Sequence, residues 1–198
     1  MKQRPFHHGN LRQALIDATL HVLDTKGVAE TSLRAISAQA GVSHAAPANH
    51  FRDRQTLLTE VANLEFSHIR SAIQKRLARR TRAGADRVLF FPETLLEYAM
   101  EFPNRYELLW RSDLVNHQDP DLLVVMDAIY DALCNEILQV AENKEFDVHT
   151  FAVSVWSMTH GYIALRLSGM FQELKDEVRN EPRFQAMMAL LSQSIRKR

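Results

Sequence analysis

The chain has 198 residues, 46% of them hydrophobic and 24% charged, with a formal net charge of zero. That balance belongs to an ordinary globular protein and excludes a disordered one, while apolar runs of only a few residues exclude a membrane-spanning helix. Zero net charge hides a division, with 13 Lys and Arg against 6 Asp and Glu in residues 1–82 and 11 against 18 in the remainder. Glycine and proline are scarce, at six each, and helical periodicity is the recurring pattern, so about nine helices and no strands are expected. The first is announced by Asn10 with Gln13 three residues on, carries Leu11, Leu15, Ala18 and Val22 on one face, and stops at Gly27. A second, short helix follows the capping pair Thr31-Ser32 and ends at Gly41; Ser43 caps a third, and Asp53 a long fourth.

After Gly84 the pattern is broken by proline. Pro92 suits the first turn of a fifth helix and Pro103 that of a sixth. Leu122, Met126, Ile129, Leu133 and Ile137 define a seventh, and two more span about 149–171 and 182–196. On the last, Phe184, Met187, Met188, Leu191 and Ile195 form one apolar stripe. Residues 1–54 are expected to form one domain and 55–198 a larger helical one.

Two short helices joined through Gly41-Val42-Ser43 have the spacing of a helix-turn-helix. In that motif the second helix enters the major groove, while caps and cations around it hold phosphates. A basic front half joined to an acidic remainder suits such a module attached to a domain with another task. The stretch TSLRAISAQAGVSHAAPANHFRDRQTLLTEV (31–61) resembles the DNA-binding region of the tetracycline-repressor (TetR) family, through Thr31, Ile36, Ala40, Gly41, Val42, Ser43, His50, Phe51 and Leu57-Leu58. WSMTHGYIALRLSG (156–169) is similar to a Trp-His-Gly type of regulatory domain in one branch of that family. The resemblance implies a homodimeric transcription factor that binds double-stranded operator DNA, represses, and lets go when a small-molecule effector binds.

The chain departs from the family pattern at Pro47, where leucine is common, at Ala48, where tyrosine is common, and at Arg54, where lysine is common. Proline early in the helix removes one hydrogen bond, so the third helix is expected to survive. On this reading His44, Ala45, Ala46 and Asn49 face base edges, with Asn49 suited to adenine and the alanine methyls to thymine. Arg34 is a candidate for guanine or phosphate, and Thr31, Ser32, Ser43, His50 and Arg54 complete the expected DNA-binding set. Lys2 and Arg4 precede the first helix, where an arm can follow the minor groove.

Enzyme signatures with the required spacing are missing, so no catalytic residue is assigned. His7-His8 have no ligands nearby in sequence to complete a metal site, and neither metal nor cofactor is expected. Phe102, Tyr106, Trp110, Met126, Tyr130, Trp156 and His160 are candidates to line a mainly apolar effector cavity, although each alone also suits a core. The N-terminal MKQRPFHHGNLRQ lacks the apolar run of a secretory leader, and the single Cys134 forms no internal disulfide, so a cytoplasmic setting is expected. An all-α enzyme or small-molecule carrier with an incidental N-terminal hairpin is the rival reading.

Overall fold

A computed structural model describes residues 11–79, 81–140 and 147–195. Asn10, His7, His8, Lys2 and Arg4, named above, lie outside them. Among the described residues there are eight α-helices: α1 (Leu11–Lys26), α2 (Leu33–Ala40), α3 (Arg54–Ala78), α4 (Phe90–Glu101), α5 (Pro103–Leu109), α6 (Pro120–Val140), α7 (Val148–Leu167) and α8 (Arg183–Ser194). The ninth expected helix, after Ser43, is a single 3-10 turn over Ala46–Asn49. No strand occurs among these residues, only an isolated bridge between Lys175 and Pro182.

Local chemistry accounts for most of the boundaries. Gly27, at φ 84°, ends α1, and its amide donates to Leu23 O at 3.0 Å. Ser32 Oγ accepts from the Ala35 amide at 3.2 Å and caps α2. Asp53 accepts from the Thr56 amide and hydroxyl, both at 2.8 Å, at the start of α3, and Asp147 accepts from the Thr150 amide at 2.9 Å at the start of α7. Pro92 and Pro103 sit in the first turns of α4 and α5, where a missing N–H costs no helical bond. The expected extension of α7 to Phe171 fails because the chain turns at Gly169, with φ 76°.

The helices pack as two compact units. The first comprises Met1–Phe66 with Asn104–Leu123, the second Ser67–Pro103 with Val124–Arg198. These differ from the division expected at residue 54, because the opening half of α3 buries Leu57, Leu58, Val61 and Ala62 in the first unit. That unit is braced by Arg105, which forks onto Asp24 at 2.7 and 2.5 Å and lies 3.4 Å from the carboxylate of Glu65, a residue only 1% exposed. Three helices, α1, α3 and α5, therefore meet at one guanidinium.

In the second unit Arg87 grips Glu136 through two bonds of 2.6 and 2.8 Å and donates a third to Leu77 O at 3.2 Å. Tyr162, Phe184 and Met188 form a buried apolar cluster, with Leu89, Leu96 and Met158 packed against it. The apolar stripe of the last helix is buried at Phe184, Met188 and Ile195 and half-buried at Met187 and Leu191.

Breaking a buried ion pair from one side leaves a charge in the interior, which costs far more than losing an exposed pair. Arg105→Met is therefore expected to lower stability by about 3 kcal/mol in urea unfolding. Arg111, whose fork onto Asp113 lies at the surface, provides the comparison, and Arg111→Met should leave the midpoint near that of the parent.

Candidate nucleic-acid interface

The turn that carries the expected reading residues is organised by one absent hydrogen. In an α-helix starting at Ser43 the residue-47 amide would donate to Ser43 O, but proline has no N–H. The Ala46 amide takes that carbonyl instead, at 3.0 Å, and the next bonds run from Ala48 to Ala45 O at 3.2 Å and from His50 to Pro47 O at 2.9 Å. This is a 3-10 pattern of three-residue steps. The expectation that the helix survives the proline is corrected accordingly. Upstream, Gly41 adopts the left-handed conformation, φ 69° and ψ 30°, and Val42 donates to Ser37 O at 3.0 Å, which closes α2 within one turn.

Pro47 and Phe51 are the buried feet of the turn, and the Arg12 guanidinium lies over the Phe51 ring at 5.3 Å from its centroid. Around these feet most of the remaining side chains face outward. Ser43, His44, Ala45, Asn49 and His50 are exposed, as is Ala48, while Ala46 is half-buried. Ser32 and Arg34, at the start of α2, are exposed in the same unit. His50 does not pack with its neighbour Phe51 in the core.

Two expected contacts turn inward. Thr31 is fully buried, its hydroxyl donating to Val28 O at 2.7 Å, so it cannot touch a phosphate. Arg54, half-buried, donates to Thr31 O and to Thr31 Oγ1, both at 2.8 Å, and to Val28 O at 3.4 Å. The guanidinium thus clamps the segment that delivers Ser32 and Arg34. Arg52, which the sequence reading passed over, is the more exposed cation, with 85% of its side chain accessible. Arg52 donates to Asp53 at 3.0 Å, and Asp53 is held down at about 2, chiefly by the Thr56 amide and then by the Thr56 hydroxyl and Arg52.

The expected effector residues divide between the units. Tyr106 and Trp110 belong to the first, where Trp110 meets Phe66 edge-on at 5.6 Å and Tyr106 at 6.0 Å. Burial raises the Tyr106 phenol above its ordinary range, as befits a core residue. Phe102, Met126, Tyr130, Trp156 and His160 belong to the second unit, and all five are half-buried. The Trp156 and His160 rings lie 5.4 Å apart, one helical turn along α7, and burial pulls the His160 imidazole from 6.5 down to about 4. A separate cleft in this unit, about 490 Å³, is lined by Arg76, Arg82, Phe90, Glu93 and Phe184 and by none of these seven.

A two-turn helix, a left-handed glycine and a short turn anchored by two apolar feet define a helix-turn-helix protein in an all-helical chain. Residues 15–61 match the family described as bacterial regulatory proteins, tetR family, and residues 91–191 match the tetracyclin repressor-like C-terminal domain. The chain belongs to the tetR family of bacterial regulatory proteins. The HTH-type transcriptional regulator BetI of Pectobacterium carotovorum subsp. carotovorum (strain PC1) is 36% identical over 66 residues, which is 33% of this chain and 34% of that protein. The match therefore spans about a third of the length of the curated relatives.

The fold extends over the whole chain. A protein of unknown function from Rhodococcus sp. RHA1 superposes with a TM-score of 0.78 at 24% identity, covering 98% of this chain and all of that one. BioQ, solved with its natural double-stranded DNA operator, superposes with a TM-score of 0.62 at 18% identity over 98% of this chain and 100% of that one. No helix among the described residues is long and apolar enough to cross a membrane.

Two measurements test these assignments. Arg54→Ala removes charge-assisted bonds to Thr31 and Val28, so it is expected to lower thermal stability by about 2 kcal/mol. The slope of DNA affinity against salt should stay unchanged, because no phosphate cation is lost. For His160 the depressed folded value means that the unfolded chain binds a proton first as pH falls below 6.5. Its contribution to stability is complete above 6.5 and lost progressively down to about 4. His160→Gln should flatten that part of the curve of unfolding free energy against pH.

Proposed function

We propose that the chain is a sequence-specific transcriptional repressor that binds double-stranded operator DNA as a homodimer and releases it when a small molecule occupies the second unit. The observation that carries the reading is the exposed set Arg34, His44, Ala45 and Asn49, presented by α2 and the 3-10 turn in a chain of the tetR family. Asn49 reads adenine, Arg34 takes guanine or a phosphate, and Ser32, Ser43, His50 and Arg52 lie along the sugar-phosphate backbone. BioQ's complex with its operator supports the choice of double-stranded DNA.

Release is a linkage. Two copies must place their turns about 34–36 Å apart to meet successive major-groove faces. A ligand that favours another separation weakens DNA binding by its own preference between the two states. Phe102, Met126, Tyr130, Trp156 and His160 supply the apolar surface and the few polar atoms for such an effector. The protein works in the cytoplasm, without cofactor and without turnover. The C-terminal match is to the tetracyclin repressor-like domain in general, and the Trp-His-Gly type stands as a proposal on Trp156, His160 and Gly161 alone.

Selection of fragments from a random duplex pool with the purified chain tests the reading directly. A two-fold symmetric sequence should be enriched, and a pool that stays random would sink it, leaving an enzyme or carrier. Against the selected operator, Asn49→Ala is expected to cost on the order of 1–3 kcal/mol at one base pair of each half-site and to erase preference there. Arg34→Ala separates its two roles. Loss of preference at a guanine marks base reading, whereas a uniform loss with a salt slope shallower by about 0.9 marks phosphate.

A further inference from the structure

One cluster in the second unit has no part in the regulatory reading beyond a single shared residue. Cys134 lies one helical turn after Tyr130 on α6, and His149 lies in the first turn of α7. The three side chains converge on one atom. His149 Nδ1 is 3.1 Å from the Tyr130 hydroxyl and 3.9 Å from Cys134 Sγ, and the Tyr130 and His149 rings stack with 12° between their planes. In the tautomer protonated at Nε2, Nδ1 turns its lone pair toward both neighbours. His149 is exposed and Cys134 is 7% exposed, so the imidazole is the approach and the thiol the floor.

The spacing and the donor count select the kind of ion. With metal–sulfur and metal–nitrogen bonds of about 2.3 and 2.0 Å, a tetrahedral angle would bring sulfur and nitrogen to roughly 3.5 Å and a linear one to roughly 4.3 Å. The observed 3.9 Å lies between them and asks for an open angle. Among the described residues no group of three His, Cys, Asp or Glu is placed to hold a metal ion, and the soft donors they offer here are one thiolate and one imidazole. One thiolate and one imidazole instead suit a soft cation content with few ligands. The negative charge of Asp131 is felt at Tyr130 and Cys134, and that of Asp147 at Tyr130, which favours a cation over an anion.

We propose that Cys134 Sγ and His149 Nδ1 form a two-donor site for a soft monovalent cation of the copper(I) class. The Tyr130 hydroxyl gives up its bond to Nδ1, the Cys134 thiol loses its proton to solvent, and sulfur and nitrogen each donate a lone pair to the ion. One thiolate and one monovalent cation leave the site neutral, and no electron is transferred. The thiol proton leaves as the sulfur binds, so uptake releases one proton for each ion bound.

The experiment is an anaerobic titration of the full chain with copper(I) held by a coloured chelator, with proton release followed in weak buffer. One ion and one proton per chain are expected. His149→Gln should lower the affinity tenfold or more, Cys134→Ser should abolish uptake, and equimolar zinc should not displace the ion. Because His149 is exposed, its replacement leaves the fold intact and its result is decisive. Affinity unchanged in His149→Gln would reduce the site to an ordinary thiol and overturn the proposal, as would uptake persisting in Cys134→Ser or displacement by zinc.

Discussion

The missing hydrogen on Pro47 determines how this chain meets its surroundings. Without an amide to give to Ser43 O, the backbone closes in three-residue steps, and the turn ends after four residues. A 3-10 turn has three residues per revolution instead of 3.6, so side chains three apart lie in line. Ala46 and Asn49 therefore share a direction in which only the longer side chain reaches out, while Pro47 and Phe51 turn to the core. A short turn held at both ends offers fewer reading side chains than an α-helix, but holds them with less freedom. The hold on the motif is thus transferred from helix length to anchoring.

Anchoring draws on cations that charge counting would assign to DNA. Arg54 spends its guanidinium on the carbonyls of Val28 and Thr31 and on the Thr31 hydroxyl. Those groups belong to a 3-10 turn, Val28–Glu30, and to Thr31 that closes it ahead of α2, where backbone carbonyls lack helical partners. A guanidinium has five donors in a fixed fork and can satisfy several such acceptors at once, which the single ammonium of a lysine does less well. Arginine in place of the commoner lysine at position 54 is consistent with a brace. Arg105 follows the same logic deeper in the unit, between Asp24 and the buried Glu65.

What could be read from the sequence was local in origin. The caps at Ser32 and Asp53, the stops at Gly27 and Gly41, and the prolines at positions 92 and 103 all act within four residues, and each appears where its chemistry placed it. The inward turn of Thr31 and Arg54 was not legible, because the bond joins residues 23 apart, and no periodicity reports which way an arginine folds. The stripe on α8 was legible as a stripe, but amphipathicity says only that an apolar face must be covered. Here Tyr162 of the same unit covers it, with ring centroids of Tyr162 and Phe184 4.9 Å apart. At Pro47 the sequence predicts a surviving helix, and the structure has a 3-10 turn instead. One lost hydrogen bond looks tolerable when a long helix supplies the rest, but a single turn has too few others to hold the α-helical register.

The basic front half then has to be reconsidered as a distribution of partners rather than a charge. Arg12 pairs with Glu60 at 2.8 Å, Arg54 is held by Thr31, and Arg82 pairs with Glu93 at 2.7 Å, while Arg76 contacts Glu97. Arg52 shares its charge with Asp53. Each such pairing withdraws a cation from the field that would steer a polyanion, and because affinity for phosphates scales with the number neutralised, an excess of seven positive charges overstates the pull on DNA. Arg76 and Arg82 belong, moreover, to the second unit, so the head draws its discrimination from the few exposed side chains of the turn and, in the homodimer proposed above, its affinity from two turns presented together. Doubling the contacts adds free energies, whereas the orientation cost is incurred once. On that argument the four-residue turn and the proposed pairing of two chains are parts of one arrangement, since a reading surface this small has little use for DNA when it stands alone.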